Sequence, residues 1–259
     1  MKEYLLAHDL GTSGDKATLF TTEGELVDSE IESYPVHYYN GNWAEQDAED
    51  WWSAFCASTR KLLARTGIQP ERIRAVSFSG QMMGCLCVDR EGKPLRPSII
   101  WADQRAQQEA EEIEKAISQW EYYQITGHRN TASYGIQKLM WVKKHEPEVY
   151  RNTYKMLNAK DFMVQKLTGV FCTDYSDANG CGFFDLKRLD WSEELLKLSG
   201  IDRSKLPDVK PSTFCAGKIT EEAARQTGLT KETAVIIGAG DGVATNVGAG
   251  AVSSGKTFC

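Results

Sequence analysis

Residues 4–20 read YLLAHDLGTSGDKATLF, and they set the architecture expected for the whole chain. Two strand-like runs, Tyr4–Ala7 and Lys16–Phe20, are separated by a turn rich in glycine and serine. A third run, Leu26–Glu32, follows the turn signal Thr22–Gly24. Three consecutive strands with short connections predict an antiparallel meander, because a unit of two parallel strands would need a helix between them.

Downstream of the meander, helical and strand-like patterns alternate. A helix is predicted from Ala48 to Thr66, since Asp47 is placed to cap it and Gly67 to end it. Ile73–Ser79 is predicted to be a buried strand. The remaining predictions are strands at Cys85–Val88 and Val235–Ile237, and helices at Gln104–Ser118, Ile136–Lys144, Lys160–Leu167, Glu193–Leu198 and Glu221–Thr227. The expected fold class is α/β, with a mixed sheet flanked by helices in one large domain.

The composition is that of an ordinary globular protein with a sizeable core. Of the 259 residues, 41% are hydrophobic and 25% charged, and the formal net charge is −6 with both signs interspersed. This pattern offers no basic surface for nucleic acid. No apolar run approaches the roughly 18 residues needed to cross a bilayer, and the first residues lack the succession typical of a signal peptide. We therefore expect a cytoplasmic protein whose partner is a small molecule.

The cysteines and the first histidine are interpreted as structural. Seven cysteines, an odd number scattered among apolar neighbours, indicate reduced thiols that fill the core. Cys85 and Cys87 form a lone C-x-C, and no second ligand pair completes a zinc site. His8 precedes a turn of interest, but a lone histidine in an apolar strand is more often a core residue than a catalytic base.

The turn Asp9–Gly14 is the sharpest local feature of the sequence. It follows one strand and precedes another that contains Lys16. Small residues let backbone N–H groups and hydroxyls approach a phosphate, while a carboxylate at the edge of the turn can hold Mg²⁺ directly or through water. Glycines also serve in ordinary hairpin turns that need positive φ. The turn alone does not separate these two interpretations.

A second candidate is Asp241, which lies in the segment Gly238–Gly242 after a buried strand. Active-site groups gather at the carboxyl ends of strands in α/β sheets. Phosphoryl transfer to an alcohol needs a carboxylate that orients the hydroxyl and accepts its proton, and Asp241 could be that base. The competing interpretation is a turn aspartate that bonds its own backbone.

A third group combines the segments Gly80–Gly84 and Trp101–Arg105. An aromatic face, a carboxylate and a guanidinium suit a polyhydroxylated ligand, because hydroxyls need donors and acceptors while C–H faces stack on rings. The alternative is that Trp101 belongs to the core and that Arg105 forms an ion pair on a helix surface.

Taken together and in this order, these segments resemble the FGGY family of carbohydrate kinases, and its xylulokinase-like branch most closely. No single segment is diagnostic, but their joint order over essentially the whole chain is highly specific. The resemblance is carried by Asp9–Ser13 with Lys16, Trp43–Asp47 leading to Trp51 and Trp52, Gly80–Met82, Trp101–Asp103 with Arg105, Lys138–Trp141, Lys160 and Asp161, Thr173–Ala178, and Gly240 with Asp241.

This resemblance implies an actin-like, ribonuclease H-like fold, with a sugar held mainly by the first domain and ATP by the second. The sugar-binding domain would cover residues 1–245, and residues 246–259 would begin the nucleotide-binding domain. The implied reaction is ATP-dependent phosphorylation of a sugar hydroxyl with Asp241 as general base, and with ATP and Mg²⁺ as cofactors. Closure of the cleft between the domains would exclude water that competes as acceptor. Family members are often dimers, which makes a homodimer a candidate assembly.

The same likeness assigns the site residues. The residues expected near phosphate and Mg-ATP are Asp9, Gly11, Thr12, Ser13 and Lys16, with Asp9 also as metal ligand. Those expected around the sugar are Gln81, Met82, Met83, Trp101, Asp103 and Asp241.

Two departures from the xylulokinase pattern leave the substrate open. That pattern usually has histidine where this sequence has Met83, and asparagine where it has Gly242. Losing an imidazole and an amide removes partners for sugar hydroxyls, and pockets that pair hydroxyls discriminate strongly. D-Xylulose is therefore a candidate beside other ketoses, pentitols, erythritol-like polyols and sugar acids.

The length of the chain adds a further expectation. Family members run to about twice this size and carry a second phosphate turn and an adenosine site downstream. We expect the chain alone to be the sugar-binding half, to bind ATP poorly and to turn over little or nothing. Two alternatives are a non-catalytic sugar-binding or regulatory module of the same fold, and an actin-like chaperone or cytoskeletal ATPase. The retention of Asp9 and Asp241 disfavours the first, and the tryptophan-rich segments disfavour the second.

Overall fold

The computed structural model describes residues 2–256 and places strands and helices throughout them. The strands are β1 (Tyr4–Leu10), β2 (Gly14–Thr21), β3 (Leu26–Ser33), β4 (His37–Tyr39), β5 (Trp43–Gln46), β6 (Ile73–Gly80), β7 (Leu86–Val88), β8 (Ser98–Ile99), β9 (Lys155–Leu157), β10 (Cys172–Asp174), β11 (Phe184–Asp185), β12 (Asp190–Trp191), β13 (Asp208–Lys210), β14 (Cys215–Lys218) and β15 (Ala234–Gly240). The helices are α1 (Ala48–Thr66), α2 (Gln107–Ala116), α3 (Gln119–Thr126), α4 (Gly135–His145), α5 (Pro147–Asn152), α6 (Ala159–Thr168), α7 (Tyr175–Gly180), α8 (Glu193–Ser199), α9 (Glu221–Thr227) and α10 (Asp241–Gly248).

A mixed sheet of six strands forms the centre of the fold, in the order β14-β15-β6-β1-β2-β3. The predicted meander is confirmed, because β2 pairs antiparallel with both β1 and β3. Strand β6 pairs parallel with β1 on one side and β15 on the other. Leu10 of β1 and Gly240 of β15 both lie opposite Gly80 of β6. The carboxyl ends of these three strands therefore meet at one edge of the sheet.

Helix α1 has the predicted boundaries, and its ends follow from local chemistry. The Asp47 side chain accepts a hydrogen bond from Glu49 N, and Gly67 ends the helix in the left-handed region with φ of 66°. Helix α1 buries Trp51 and Phe55 against the sheet. Complete burial of one such side chain stabilises the fold by about 1.5–3 kcal/mol. Helices α6 and α9 pack beside α1 and complete the layer on this face.

The opposite face of the sheet is open around its first strands. Leu6, His8 and Leu10 of β1 point into the core beneath α1, so the alternation of the strand turns Asp9 to the other side, where it is exposed. Lys16 of β2 lies directly across from Asp9 and is exposed too. A carboxylate and an ammonium thus share an uncovered surface near the edge where the strands end.

A second hydrophobic core lies apart from the one beneath the sheet. It gathers residues from α2, α3, α4, α7 and α8, among them Ile113, Leu139, Trp141, Ala178 and Leu195. The expectation that Trp141 is a packing residue is confirmed by its burial. This core supports the segments that connect β6 to β7 and β8 to α2.

Several predicted boundaries differ from the structure. The helix expected from Gln104 begins only at Gln107, because the Asp103 carboxylate accepts a hydrogen bond from Arg105 N and holds a turn there. Helix α10, which was not predicted, begins at Asp241 and crosses the predicted domain boundary between residues 245 and 246. That boundary stays a prediction, and the part of the predicted second domain at residues 257–259 lies outside the described residues.

Most cysteines in the described range match their predicted role. Cys85, Cys87, Cys172 and Cys181 are buried, whereas Cys215 is exposed, so the prediction of a core position is wrong there. Cys259 lies outside the described residues. None of the helices between residues 2 and 256 combines the length and apolar composition needed to cross a membrane.

Gly238 allows β15 to reach the shared edge. The pairing of β15 with β6 shifts between Ile236 and Ala239, and Gly238 within this bulge has φ of 73°. A Cβ atom on Gly238 would lie 1.9 Å from the carbonyl oxygen of Phe78. Backbone cannot yield as a flexible side chain does, so only glycine fits.

We predict that Gly238→Ala lowers the free energy of unfolding by about 3 kcal/mol or more. The matched control is Gly169→Ala, which has φ of 78° but no atom within 4 Å of the new Cβ; it should lose only about 1 kcal/mol. Chemical denaturation measures both. Equal losses in the two variants would show that the close approach to Phe78 imposes no constraint.

Candidate functional site

The turn after β1 is held by hydrogen bonds from neighbouring elements. Gly11 N donates to Gly14 O at 3.0 Å, and the Tyr34 hydroxyl donates to Gly11 O at 2.6 Å. Neither Gly11 nor Gly14 adopts positive φ, so the interpretation of an ordinary turn glycine is wrong. Gly14 is required for another reason, since a Cβ there would lie 2.6 Å from Glu32 O of β3. The turn is therefore fixed while Thr12 and Ser13 stay partly or fully exposed.

Gln46, at the end of β5, joins this turn to the segment after β6. Its Nε2 donates to Thr12 O at 2.7 Å, and its Oε1 accepts from Gln81 Nε2 at 2.7 Å and from Trp51 Nε1 at 3.2 Å. Gln81 is itself buried, so it supports the surface around it from below. No local pattern indicated this role of Gln46, since Thr12 and Gln81 lie far from it along the chain.

Asp9 and Lys16 line a groove on the open face of the sheet. The groove has a volume of about 340 Å³, and its walls include Asp9, Lys16, Thr18, Ser77, Ser79 and Ala244. Its lining also includes the apolar Phe20 and Phe78, while the hydroxyls, the one ammonium and the carboxylate form a polar part that suits an anion carried with a cation. Among residues 2–256, no three His, Cys, Asp or Glu side chains are grouped so as to hold a metal ion on their own.

Asp241 is the first residue of α10, directly after Gly240 at the edge of the sheet. Its Oδ1 accepts a hydrogen bond from Gly242 N at 2.6 Å, and its side chain remains accessible to solvent. Partial burial, and then the negative charge of Asp9, raise the pKa of Asp241 above its usual value, although the hydrogen bond from Gly242 opposes this. Asp9 thus lies close enough to influence the ionisation of Asp241.

A chain of hydrogen bonds from a buried cluster fixes the position of Gly240, and hence of Asp241. Gly240 N donates to Ser176 Oγ at 2.8 Å, and Ser176 Oγ donates to Asp174 Oδ2 at 2.6 Å. Asp174 in turn lies 2.9 Å from the Lys160 ammonium. Lys160, Asp174 and Ser176 were not predicted as site residues, because the contacts join separate helices and strands.

Three carboxylates surround the single positive charge of Lys160. Its Nζ lies 2.8 Å from Asp161, 2.9 Å from Asp174 and 3.1 Å from Asp177, and all four side chains are buried. Burial lowers the pKa of Lys160, but the three carboxylates outweigh it and raise the pKa well above the usual value. Burial also raises the pKa of Asp177 well above its usual value, so this carboxyl holds a proton more readily than an exposed one.

Met82 and Met83 lie between the strand edge and α7. A Cβ on Gly240 would lie 2.5 Å from Met82 Sδ, and one on Gly180 would lie 2.9 Å from Met82 Cε, so both glycines leave room for this side chain. Met83 has φ of 63°, which is uncommon for a residue with a side chain. Both methionines remain partly exposed.

Trp101 closes the opposite side of the site. Its side chain is 46% exposed, so the alternative that Trp101 belongs to the core is wrong. Its Nε1 donates a hydrogen bond to Thr12 Oγ1 at 2.9 Å. An indole face therefore stands beside the turn that follows β1. Trp101, Thr12, Met82, Asp9 and Asp241 are the predicted residues that the fold brings to this edge of the sheet.

Asp103 and Arg105 lie beneath the surface and pair with each other. The Asp103 carboxylate is completely buried, and it accepts from Ala44 N at 2.6 Å and from the Arg105 guanidinium at 2.7 Å. The guanidinium also lies 3.9 Å from the centre of the Trp43 ring. Burial removes Asp103 from direct reach of a ligand, and the alternative of a surface ion pair for Arg105 is wrong. Both residues instead fix the loop that carries Trp101.

Comparison with known proteins identifies relatives of this arrangement. The model of the "FGGY family of carbohydrate kinases, N-terminal domain" matches residues 4–248. Xylulose kinase of Bacillus subtilis (strain 168) is 32% identical over 99% of this chain and 51% of its own length. Gluconokinase of the same organism is 34% identical over 99% of this chain and 50% of its own length. The chain spans about half the length of the curated relatives that it matches.

The fold is shared with solved structures of the same kind. The crystal structure of xylulose kinase from Rhodospirillum rubrum superposes with a TM-score of 0.92 at 28% identity, covering 98% of this chain and 52% of that protein. This match confirms the predicted fold class, an actin-like, ribonuclease H-like domain with a mixed sheet and flanking helices.

We predict that Asp241→Asn raises the melting temperature at neutral pH by about 1–2 °C, a small gain because the side chain is partly exposed. The pKa of Asp241 in the folded chain lies above its usual value of 3.8. The ionised carboxylate therefore destabilises the fold above the folded-state pKa, and this penalty disappears as the pH falls toward the usual value. Thermal unfolding at several pH values measures the gain, which should shrink toward about pH 4.

The control for this prediction is Glu114→Gln, at an exposed position of α2, which should leave the melting temperature unchanged. A lower melting temperature for Asp241→Asn at neutral pH, or a gain that persists undiminished in acid, would contradict the account of the two neighbouring carboxylates.

Proposed function

The chain belongs to the FGGY family of carbohydrate kinases, and from this premise we propose that it binds the phosphate acceptor in an ATP-dependent phosphotransferase. The acceptor is a hydroxyl of a sugar, polyol or sugar acid. One observation carries the proposal: Asp9, near the end of β1, and Asp241, directly after β15, lie on either side of β6, close enough for the charge of Asp9 to raise the pKa of Asp241. A protein that only binds sugar has no need for two such carboxylates.

In the proposed reaction, Asp241 acts on the acceptor hydroxyl. Its carboxylate accepts a hydrogen bond from the hydroxyl and takes the proton as the oxygen forms a bond to the γ-phosphorus of ATP. The bond from that phosphorus to the β,γ-bridging oxygen breaks, ADP leaves with the electron pair, and Asp241 later releases its proton to solvent. A raised pKa suits this role, because a stronger base takes the proton more readily.

The turn Gly11–Gly14 and the residues beside it suit the phosphate side of the reaction. Thr12 and Ser13 offer hydroxyls and backbone N–H groups, and Lys16 offers a positive charge next to Asp9. Asp9 provides the carboxylate oxygen that Mg²⁺ prefers, with the phosphates of ATP supplying further oxygens. When bound, Mg²⁺ would neutralise charge on the transferred phosphate. The excess negative charge of Asp9 and Asp241 fits the presence of such a cation.

The sugar would lie between Trp101 and the two methionines. The half-exposed indole offers a flat face for the C–H groups of a sugar ring or chain, and Met82 and Met83 offer a second apolar wall. Asp241 supplies a polar partner at the edge of this space. Gln81, Asp103 and Arg105 would act from beneath, by holding the loops that carry these contacts.

The identity of the acceptor stays a proposal among related compounds. The relatives are named for xylulose and gluconate, a ketose and a sugar acid. In this chain Gly242 has no atom within 4 Å of the place where a Cβ would lie, so the space beside Asp241 is open. An open space with few fixed polar partners favours an acceptor that reaches past Asp241. The division at residues 245 and 246, and the association of two copies, likewise stay predictions.

The proposal predicts that the chain binds one member of a panel of ketoses, polyols and sugar acids, with a rise in melting temperature that increases with ligand concentration. Isothermal titration should show that Asp241→Ala binds this ligand with an affinity lower by about 10-fold or more, because a hydrogen bond to a charged group is lost. Glu114→Gln should bind like the unaltered chain.

Two outcomes would count against the proposal. Failure of every sugar, polyol and sugar acid to bind would contradict the assignment of this chain as the acceptor-binding part. Binding that is unchanged in Asp241→Ala would support a sugar-binding module without a catalytic base at this position.

A further inference from the structure

Lys138 of α4 is a completely buried lysine whose three protons all bond to backbone carbonyls. Its Nζ lies 2.8 Å from Met83 O, 2.7 Å from Ile100 O and 2.6 Å from Ser133 O. An ammonium carries three donors and no acceptor, so these three hydrogen bonds occupy all of its donors. Hydrogen bonds from a charged donor are stronger than those between neutral groups.

The three carbonyls belong to three separate loops. Met83 lies in the segment after β6 and has the uncommon φ of 63°. Ile100 directly precedes Trp101, whose indole bonds to Thr12. Ser133 lies before α4, and its hydroxyl accepts from Gln104 in the Trp101 loop at 2.8 Å. One ammonium therefore joins the methionine wall, the tryptophan wall and a third loop of the proposed sugar site.

No carboxylate within residues 2–256 forms an ion pair with Lys138. Asp103, the carboxylate that influences Lys138, is already paired with Arg105, whose own charge repels the ammonium. Cys85 and Cys181 also face it, but burial raises the pKa of Cys181, and a hydrogen bond with Cys87 together with burial raises that of Cys85, so both thiols are neutral. Burial without a counter-charge lowers the pKa of Lys138 to about 7.

We propose that Lys138 is a positioning residue that holds the three loops of the sugar site in their relative places through its ammonium. The inference rests on the proposed function only in calling these loops the sugar site, since the three bonds belong to the chain without ligand. It acts through Met83 and Trp101 and does not itself touch the acceptor.

The protonation state of Lys138 decides how many loops it can hold. A neutral amine has two donors and a lone pair, so on deprotonation one of the three carbonyls loses its partner and faces the lone pair instead. The pKa of Lys138 is lower in the folded chain than its usual value of 10.5, so burial of the charge destabilises the fold below about pH 7, and this penalty is relieved as the pH rises from there. Deprotonation thus has two effects over the same pH range. It raises global stability by removing the buried charge, and it loosens the loops by removing one of their hydrogen bonds.

Hydrogen exchange of the chain without ligand tests the inference. We expect residues 81–84, 100–104 and 131–135 to lose protection by about 5-fold between about pH 6 and about pH 8.5, after correction for the intrinsic pH dependence of exchange. Lys138→Met, which keeps the length of the side chain without charge or donors, should show this loss already at the lower pH and remove its pH dependence. Lys144→Met is the matched control, because Lys144 lies on the same helix but its half-exposed ammonium bonds to the buried Glu109 and the exposed Glu112 of α2, and to none of the three loops.

The results separate this inference from the proposed function, because no ligand takes part. Unchanged protection of the three loops in Lys138→Met would overturn it, as would an equal loss in Lys144→Met. If Lys138→Met does not fold, the unaltered chain decides: absence of protection of the three loops at about pH 6, where the ammonium is charged, overturns the inference. A loss confined to the three loops supports it.

Discussion

The parallel pairing of β6 with both β1 and β15 is the constraint on which the rest of the structure depends. Because Leu10 and Gly240 both lie opposite Gly80, three chain segments leave the sheet side by side at one edge. They are the turn with Thr12 and Ser13, the segment with Met82 and Met83, and helix α10 with Asp241. Glycine at 240 leaves room for the side chain of Met82, because a Cβ there would lie 2.5 Å from Met82 Sδ. The backbone ladder thus sets the distances on which any chemistry here relies.

Two buried lysines support this edge in opposite ways. Lys160 is surrounded by three carboxylates and, through Asp174 and Ser176, fixes Gly240. Lys138 has only carbonyl partners, so its charge is held by hydrogen bonds alone. Removing one partner from a buried charge is strongly destabilising. These buried contacts therefore fix the backbone beneath the exposed Asp9 and Asp241. The two acids keep their positions although their charges repel each other.

Local patterns were sufficient to predict the meander, helix α1 with both of its caps, and the position of Asp241 at the end of a buried strand. These features depend on periodicity, cap residues and turn chemistry, which are written within a few neighbouring residues. The burial of Asp103 and Arg105 was not predictable, because a short polar segment looks the same on a surface or beneath a loop. The roles of Gln46 and Lys138 were missed for a related reason: each joins segments tens of residues apart. Position 14 requires glycine because the backbone of β3 lies so close to it, and the sequence of the turn does not reveal that contact.

A crystal structure of the chain with a bound sugar, polyol or sugar acid would show whether Asp241 contacts the acceptor hydroxyl. We expect one hydroxyl oxygen of the ligand to lie about 2.6–3.2 Å from the Asp241 carboxylate, with carbon atoms of the ligand against the Trp101 ring. A ligand bound elsewhere on the chain, or bound at this edge with every hydroxyl out of reach of Asp241, would contradict this expectation.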